Sequence, residues 1–298
     1  MELKIIDSYI ENLYLYNFEI TKKQNAYLKN KVRTINTKTG EVLANIATVE
    51  SKQKEYIKTT EQKVNALVAI AKSKDLQPIF MTLTLPSKFH PFRTLKDGKI
   101  IENKNYQFIK LEYAIEDGYK ELKKIYRVFY KRVKNFSKEI YFIKVTEPHK
   151  SLIPHMHILL FVQADLLPIV KHLFFKVCKE NKLQRVDFDE SLLIDNIENA
   201  TGYVMKYVLK TLNSKDEYFK NWISGWRKKH KIRACEMSNL AISVEVYKKI
   251  YYNLPKEAKA NIQKEIKEKN QSFFEYFIEN CEVHQTIINY KEFDMDEE

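Results

Sequence analysis

Apolar positions along the chain change period several times. In QPIFMTLTLP the apolar and β-branched residues predict a strand, closed by Pro86. Residues 104–136 place Tyr and Leu at three- and four-residue spacing with charges between them, which predicts a helix. EIYFIKVTEP and HMHILLFV read as two further strands, and the short connection HKSLIP suits an antiparallel hairpin. Residues 164–182 read as a helix, RVDFDESLLIDNI contains a fourth strand, and ATGYVMKYVLKTLN is again helical. The order β-α-β-β-α-β-α is the split β-α-β pattern of an α+β fold. It predicts a central antiparallel sheet of ferredoxin- or RRM-like type with helices on one face.

This region, 77–213, is flanked by an N-terminal accessory region, 1–76, and a mainly helical C-terminal region, 214–298. TKTGEVL reads as a turn between two short strands, and a long helix is expected from about residue 47 to 74. Beyond 213 come a basic aromatic stretch, YFKNWISGWRKKHKIR, two helical segments and an acidic tail, EFDMDEE. No domain-sized repeat is visible.

Composition adds a polyanionic partner to this picture. The 298 residues carry 51 Lys and Arg against 39 Asp and Glu, a net charge of +12. Nucleic acid is the commonest partner of such an excess, and 19 Tyr with 17 Phe make base stacking available. The plainer alternative is a basic globular protein. Cys178, Cys235 and Cys281 lie far apart, with neither disulfide nor zinc spacing, as suits a reducing compartment. No stretch reaches the roughly 18 apolar residues of a membrane helix, and no signal peptide is visible at the start. The expected location is the cytoplasm of a bacterial host cell.

The candidate chemistry begins at IPHMHILLFV. On a strand, residues two apart face the same way, so His155 and His157 share a face and Met156 takes the other. Two imidazoles on rigid backbone make half of a metal site. Glu147 ends the preceding strand, where the hairpin can bring its carboxylate beside both rings; His149, nearer the turn, is the alternative third donor. Two His and a carboxylate with open positions suit Mg²⁺ or Mn²⁺ that also meets substrate oxygens. Against this stands a pair of ordinary, hydrogen-bonded histidines. Downstream, YVMKYVLK puts Tyr203 and Tyr207 four apart on one helix face, flanked by Lys206 and Lys210. The plain reading is packing on the sheet. The chemical reading is a pair of nucleophiles toward phosphodiesters, with a nearby lysine stabilising the developing charge.

FMTLTLPSKFHP, EPHKSLIPHMHILLF and GYVMKYVLK occur in the order of the three motifs of HUH replication endonucleases. Within that superfamily the chain most resembles the phage replication gene A proteins, which are rolling-circle initiators. The resemblance covers roughly residues 77–213. It implies His155, His157 and Glu147 as metal ligands, Tyr203 and Tyr207 as nucleophiles, and Lys206 as the active-site lysine. The implied activity is site-specific nicking and joining of single-stranded or supercoiled origin DNA, through a 5′-phosphotyrosine and a free 3′-OH. Within the same chemistry the alternatives are a transposase or a mobilisation relaxase. From another class, the alternative is a non-catalytic nucleic-acid-binding protein.

No phosphate-cradling P-loop is available from Gly40, Gly98, Gly118, Gly202 and Gly225, so unwinding is expected from a host helicase acting in trans. Trp222, Trp226, Arg227, Lys228 and Lys229 are expected to form part of the DNA surface, the alternative being a packed helix end with solvated lysines. The basic helix within 104–136 is a further candidate wall of a DNA channel. His90, just beyond the first strand, is read as structural.

Overall fold

The computed structural model describes residues 2–31, 34–35, 39, 42–43, 48–95, 97, 99–183, 186–189, 202, 206, 216–239, 250–270, 273, 276 and 280. Its centre is a five-stranded sheet in which every pairing is antiparallel. In chain order the described elements are α1 (Glu2–Lys31), β1 (Thr34–Ile35), β2 (Val42–Leu43), α2 (Val49–Ser73), β3 (Gln77–Thr84), β4 (Phe92–Thr94), β5 (Ile100–Glu102), α3 (Leu111–Lys134), β6 (Tyr141–Pro148), β7 (Pro154–Val162), α4 (Leu167–Glu180), β8 (Val186–Asp189), α5 (Glu217–His230), β9 (Cys235–Met237) and α6 (Lys256–Glu268). The sheet runs β8-β3-β7-β6-β9. The hairpin expected around TKTGEVL is present as β1 paired with β2.

The two inner strands are covered on both faces, which is why ILLFV in β7 shows no polar alternation. Met156, Ile158, Leu160 and Val162 join one core with Ile79, Met81 and Leu83 of β3. That core is roofed by α3 and α4. In α3 the buried positions Ile115, Gly118, Tyr119, Leu122, Ile125, Tyr126 and Phe129 recur at three and four residues, while Lys120, Lys123, Lys124 and Arg127 stay outside. Leu13, Trp222 and Trp226 extend the same core into α1 and α5.

Helices on one face only is the expectation that needs correcting. Val64, Leu67, Val68 and Ala71 form an apolar stripe on α2 that packs on Ile143, Val145, Leu159 and Phe161, across the opposite face. A strand with apolar residues on both sides needs two covers, and the N-terminal region supplies the second. The C-terminal region supplies the edge strand β9, which pairs with β6. The helix expected from 104 starts at 111. The preceding residues are held by Asn103, whose amide donates to the carbonyls of Ser87 and His90 at 2.6 and 2.7 Å. Its own carbonyl accepts the amide N–H of Asn105 at 3.2 Å. The YVMKYVLK helix lies largely outside the described residues; Gly202 and Lys206 are described, both helical and exposed.

The α1–α5 contact depends on one glycine. A Cβ on Gly225 would stand 2.0 Å from the Leu13 carbonyl oxygen. A backbone atom cannot give way as a flexible side chain can, so only glycine allows this approach. Gly225→Ala is therefore expected to lower unfolding stability by about 2–3 kcal/mol, whereas Ser224→Ala next to it stays within about 0.5 kcal/mol. Denaturant unfolding followed by circular dichroism measures both.

Candidate functional site

The register of β7 with its two neighbours sets the site. His155 lies opposite Thr84 on β3 and Glu147 on β6, and His157 lies opposite Thr82 and Val145. Directly opposed residues share a face, so both histidines, both threonines and Glu147 lie on the α2 side of the sheet. The α2 stripe covers the Leu159–Phe161 end of that face. The histidines occupy the adjoining end, with His157 buried and His155 half-buried.

Each ring is held through Nδ1. His155 Nδ1 meets Thr84 Oγ1 at 3.0 Å and His157 Nδ1 meets Thr82 Oγ1 at 3.2 Å. In the tautomer with Nδ1–H donating to threonine, each Nε2 keeps its lone pair for another partner. The ring centroids are 4.6 Å apart, and Phe80 stacks on His157 at 5.6 Å. Burial, with His149 and His90 nearby, pushes the His155 imidazole down to about 4, so it is neutral at physiological pH. His157 Nε2 lies 3.8 Å from Glu147 Oε2. Across from Glu147 sits Arg227, also buried, with Nη2 donating to the Thr146 carbonyl at 3.5 Å. Burial draws the guanidinium down to about 10, opposed chiefly by Glu147, so it stays cationic.

The donor types fit a hard divalent ion: two imidazoles and a carboxylate, all on one face. Among the described residues no group of three or more His, Cys, Asp or Glu side chains is already closed around one point. The Glu147–His157 pair is the near part of such a set. His149 is turned toward the loop instead. Its ring is 6.2 Å from that of His155, and its Nδ1 shares a 3.3 Å hydrogen bond with Ser151 Oγ. His90 donates from Nε2 to the Leu85 carbonyl at 3.2 Å, so its Nδ1 accepts from Ser151 Oγ at 2.7 Å. That arrangement supports the structural reading of His90.

Of the five residues expected on the DNA surface, Trp222, Trp226 and Arg227 are buried, and Lys228 and Lys229 are half-buried. Trp226 is fully buried and Trp222 nearly so; the Trp226 indole N–H donates to the Leu152 carbonyl at 3.0 Å. Arg227 faces Glu147. Lys228 Nζ donates to Asn17 Oδ1 at 2.8 Å, and Lys229 pairs with Glu112 and lies over the Tyr9 ring. The four-residue spacing of the tryptophans is the buried stripe of α5, and the cations join it to α1, α3 and β6. The two tryptophans are thus packing residues of α5. Tyr203, Tyr207 and Lys210 lie outside the described residues. Lys206 is exposed on its helix.

The two threonines are the supporting residues that sequence reading passed over. Their signal was present: Thr-x-Thr in TLTLP has the same two-residue step as His-x-His.

Comparison with known proteins bears on this arrangement. The family profile for the bacteriophage replication gene A protein (GPA) matches residues 21–215. The chain belongs to the bacteriophage replication gene A protein family. That span takes in α2, the whole His155–His157 face and the Tyr203–Tyr207 segment. Among individual relatives, the replication gene A protein of Escherichia phage P2 is 28% identical over 142 residues, 45% of this chain and 18% of that protein. The probable replication protein P12 of Pseudoalteromonas phage PM2 is 27% identical over 154 residues, 48% of this chain and 21% of the relative. The replication protein of Haemophilus phage HP1 is 26% identical over 153 residues, 48% and 18% of the two chains. The match thus spans about a fifth of the length of these relatives. No solved structure matches the chain. Among the described residues of this gene A family member, no helix is long and apolar enough to cross a membrane.

Trp226 tests the packing role of α5. Trp226→Phe keeps most of the apolar area and loses the bond to Leu152, so a loss of about 1–2 kcal/mol is expected. Trp226→Ala should lose about 3–5 kcal/mol. Both are read from denaturant midpoints.

Proposed function

We propose that this chain initiates replication of phage DNA by nicking and rejoining one strand through tyrosine transesterification. The observation that carries the reading is the shared face of His155, His157 and Glu147, with both imidazole Nδ1 atoms engaged by threonine. Membership of the gene A family supports replication initiation, and the HUH motif order supports the chemistry.

In this reading His155, His157 and Glu147 would hold Mg²⁺ or Mn²⁺, which would supply charge neutralisation at the scissile phosphate when bound. Thr82 and Thr84 hold the rings in the ligating tautomer. Arg227 sets a positive charge near Glu147. A tyrosine of the Tyr203–Tyr207 pair attacks phosphorus; its phenolic oxygen forms the new P–O bond as the bond to the 3′-oxygen breaks. The phenol loses its proton and the departing oxygen gains one, giving a 5′-phosphotyrosine and a free 3′-OH. The other tyrosine can attack a second phosphodiester while the first link persists. Each step exchanges one phosphoester for another, so no nucleotide hydrolysis is needed. Lys206, helical and exposed, stabilises the charge on phosphorus. The free 3′-OH primes synthesis, and strand separation falls to a host helicase acting in trans, in the cytoplasm.

Single-stranded DNA from the replicon, incubated with the protein and Mn²⁺, should give a covalent adduct that survives a denaturing gel. EDTA, His155→Ala and His157→Ala should each reduce it at least a hundredfold, and Tyr203→Phe with Tyr207→Phe should abolish it. An adduct formed by the double tyrosine variant would remove both from the mechanism. A non-catalytic binder would give no adduct under any condition.

The threonines give a separate measurement. Thr82→Val and Thr84→Val keep the shape and remove the Nδ1 partners, so each should weaken Mn²⁺ binding about 10- to 100-fold in calorimetric titration.

A further inference from the structure

Beside the histidine face lies a pocket of about 490 Å³ whose walls include Thr84, His90, Arg93, Asn105, His149 and Lys150. Its volume is in the range of small-ligand pockets, about 300–1,000 Å³. It shares parts with the candidate site: Thr84 hydrogen-bonds His155, and the His149 ring stands 6.2 Å from that of His155. None of the described residues that line it is acidic, whereas Arg93 and Lys150 bring exposed cations to its rim.

The outer wall is the β4–β5 hairpin, and it is held firmly. Asn103 is buried, its amide and carbonyl engage Ser87, His90 and Asn105, and its backbone N–H donates to the Pro91 carbonyl at 3.0 Å. The inner wall is equally fixed, because Ser151 joins the rings of His90 and His149, which meet edge to face at 5.1 Å. A pocket shaped before its ligand arrives loses little order on binding.

We infer that this pocket receives one nucleotide of the DNA strand next to the scissile phosphate and reads its base. The inference rests on the nicking reading for the position of the strand. Imidazole rings offer a stacking surface, the Asn105 amide offers a donor and an acceptor to a base edge, and Arg93 and Lys150 meet the flanking phosphates. Free anions would need only the cations. A volume large enough for a whole nucleotide, lined by amide and ring groups, suits a nucleoside unit; Asn105 then helps set which sequence is cut, and Arg93 and Lys150 position the strand.

The test uses the full chain carrying Tyr203→Phe and Tyr207→Phe, in EDTA, so that binding is read without cleavage. Labelled single-stranded oligonucleotides tiling the replicon are ranked by fluorescence anisotropy. The tightest is then remade with one base at a time replaced by an abasic residue. Removal of one particular base should weaken binding about tenfold. Adding Asn105→Ala should weaken the intact oligonucleotide by a similar factor and erase the effect of that abasic position, whereas Arg93→Ala should weaken the intact and abasic oligonucleotides alike. Lys264→Ala, an exposed charge on α6, serves as control, and melting temperatures check that each variant is folded. The inference is overturned if no oligonucleotide binds, if no single base matters, if the abasic effect persists unchanged in the Asn105 variant, or if Arg93→Ala leaves binding unchanged. The adduct assay decides the nicking chemistry separately: an adduct with no base-specific binding keeps the chemistry and removes the pocket.

Discussion

The register between β3 and β7 is the constraint on which the rest depends. With Thr84 opposite His155 and Thr82 opposite His157, the even-numbered residues of β7 enter the α3–α4 core and the odd-numbered ones face α2. A slip of one residue would exchange the two sets. It would bury two imidazoles among aliphatic side chains and move Met156, Ile158, Leu160 and Val162 out of the larger core. Each of those four contributes about 1.5–3 kcal/mol by burial, so the slipped pairing cannot compete. The position of the histidine face is thus secured by apolar residues on the other side of the sheet.

Polar groups inside a sheet protein need partners, and the histidine face meets that need from the neighbouring strand. An imidazole buried without a hydrogen bond is costly. The threonine hydroxyls partner both Nδ1 atoms. Glu147 is buried as well, and the guanidinium of Arg227 accompanies it into the low-dielectric interior. Two of these partners come from β3, and the third from a helix eighty residues further along. The face is therefore assembled only when the sheet and α5 are both in place.

How much of this could be read from sequence follows from the range of the interactions. The strands β3, β6, β7 and β8, the hairpin at Pro148–Pro154 and the shared face of His155 and His157 were legible, because a two-residue period is local, whereas the edge strand β9 was not. The extent of α2 was legible for the same reason, but not its destination on the second sheet face. Thr82 and Thr84 were hidden because threonine in a strand reads first as β-propensity. The error on α5 is more instructive. Trp222, Trp226 and the following cations have the composition of a nucleic-acid surface, and their partners Leu152, Thr146, Asn17 and Glu112 are all far away in sequence. Nothing local distinguishes an aromatic pair that stacks on bases from one that fills a core. The late start of α3 has a similar origin, since Asn103 is held by residues 13 to 16 positions earlier.

The loop between β6 and β7 shows how these parts combine. Leu152 has φ of 63°, a left-handed conformation that costs a non-glycine residue about 1–2 kcal/mol. It persists because its side chain is buried, its N–H donates to the His149 carbonyl and its own carbonyl accepts from Trp226. One residue earlier, Ser151 ties His149 to His90. The strained turn is thus clamped from α5 on one side and from the segment after β3 on the other, and Glu147 and His155 stand at its two ends. A turn fixed by so many contacts cannot relax independently of the residues that it joins. The strain is located between a carboxylate and an imidazole, and nearby packing holds it there.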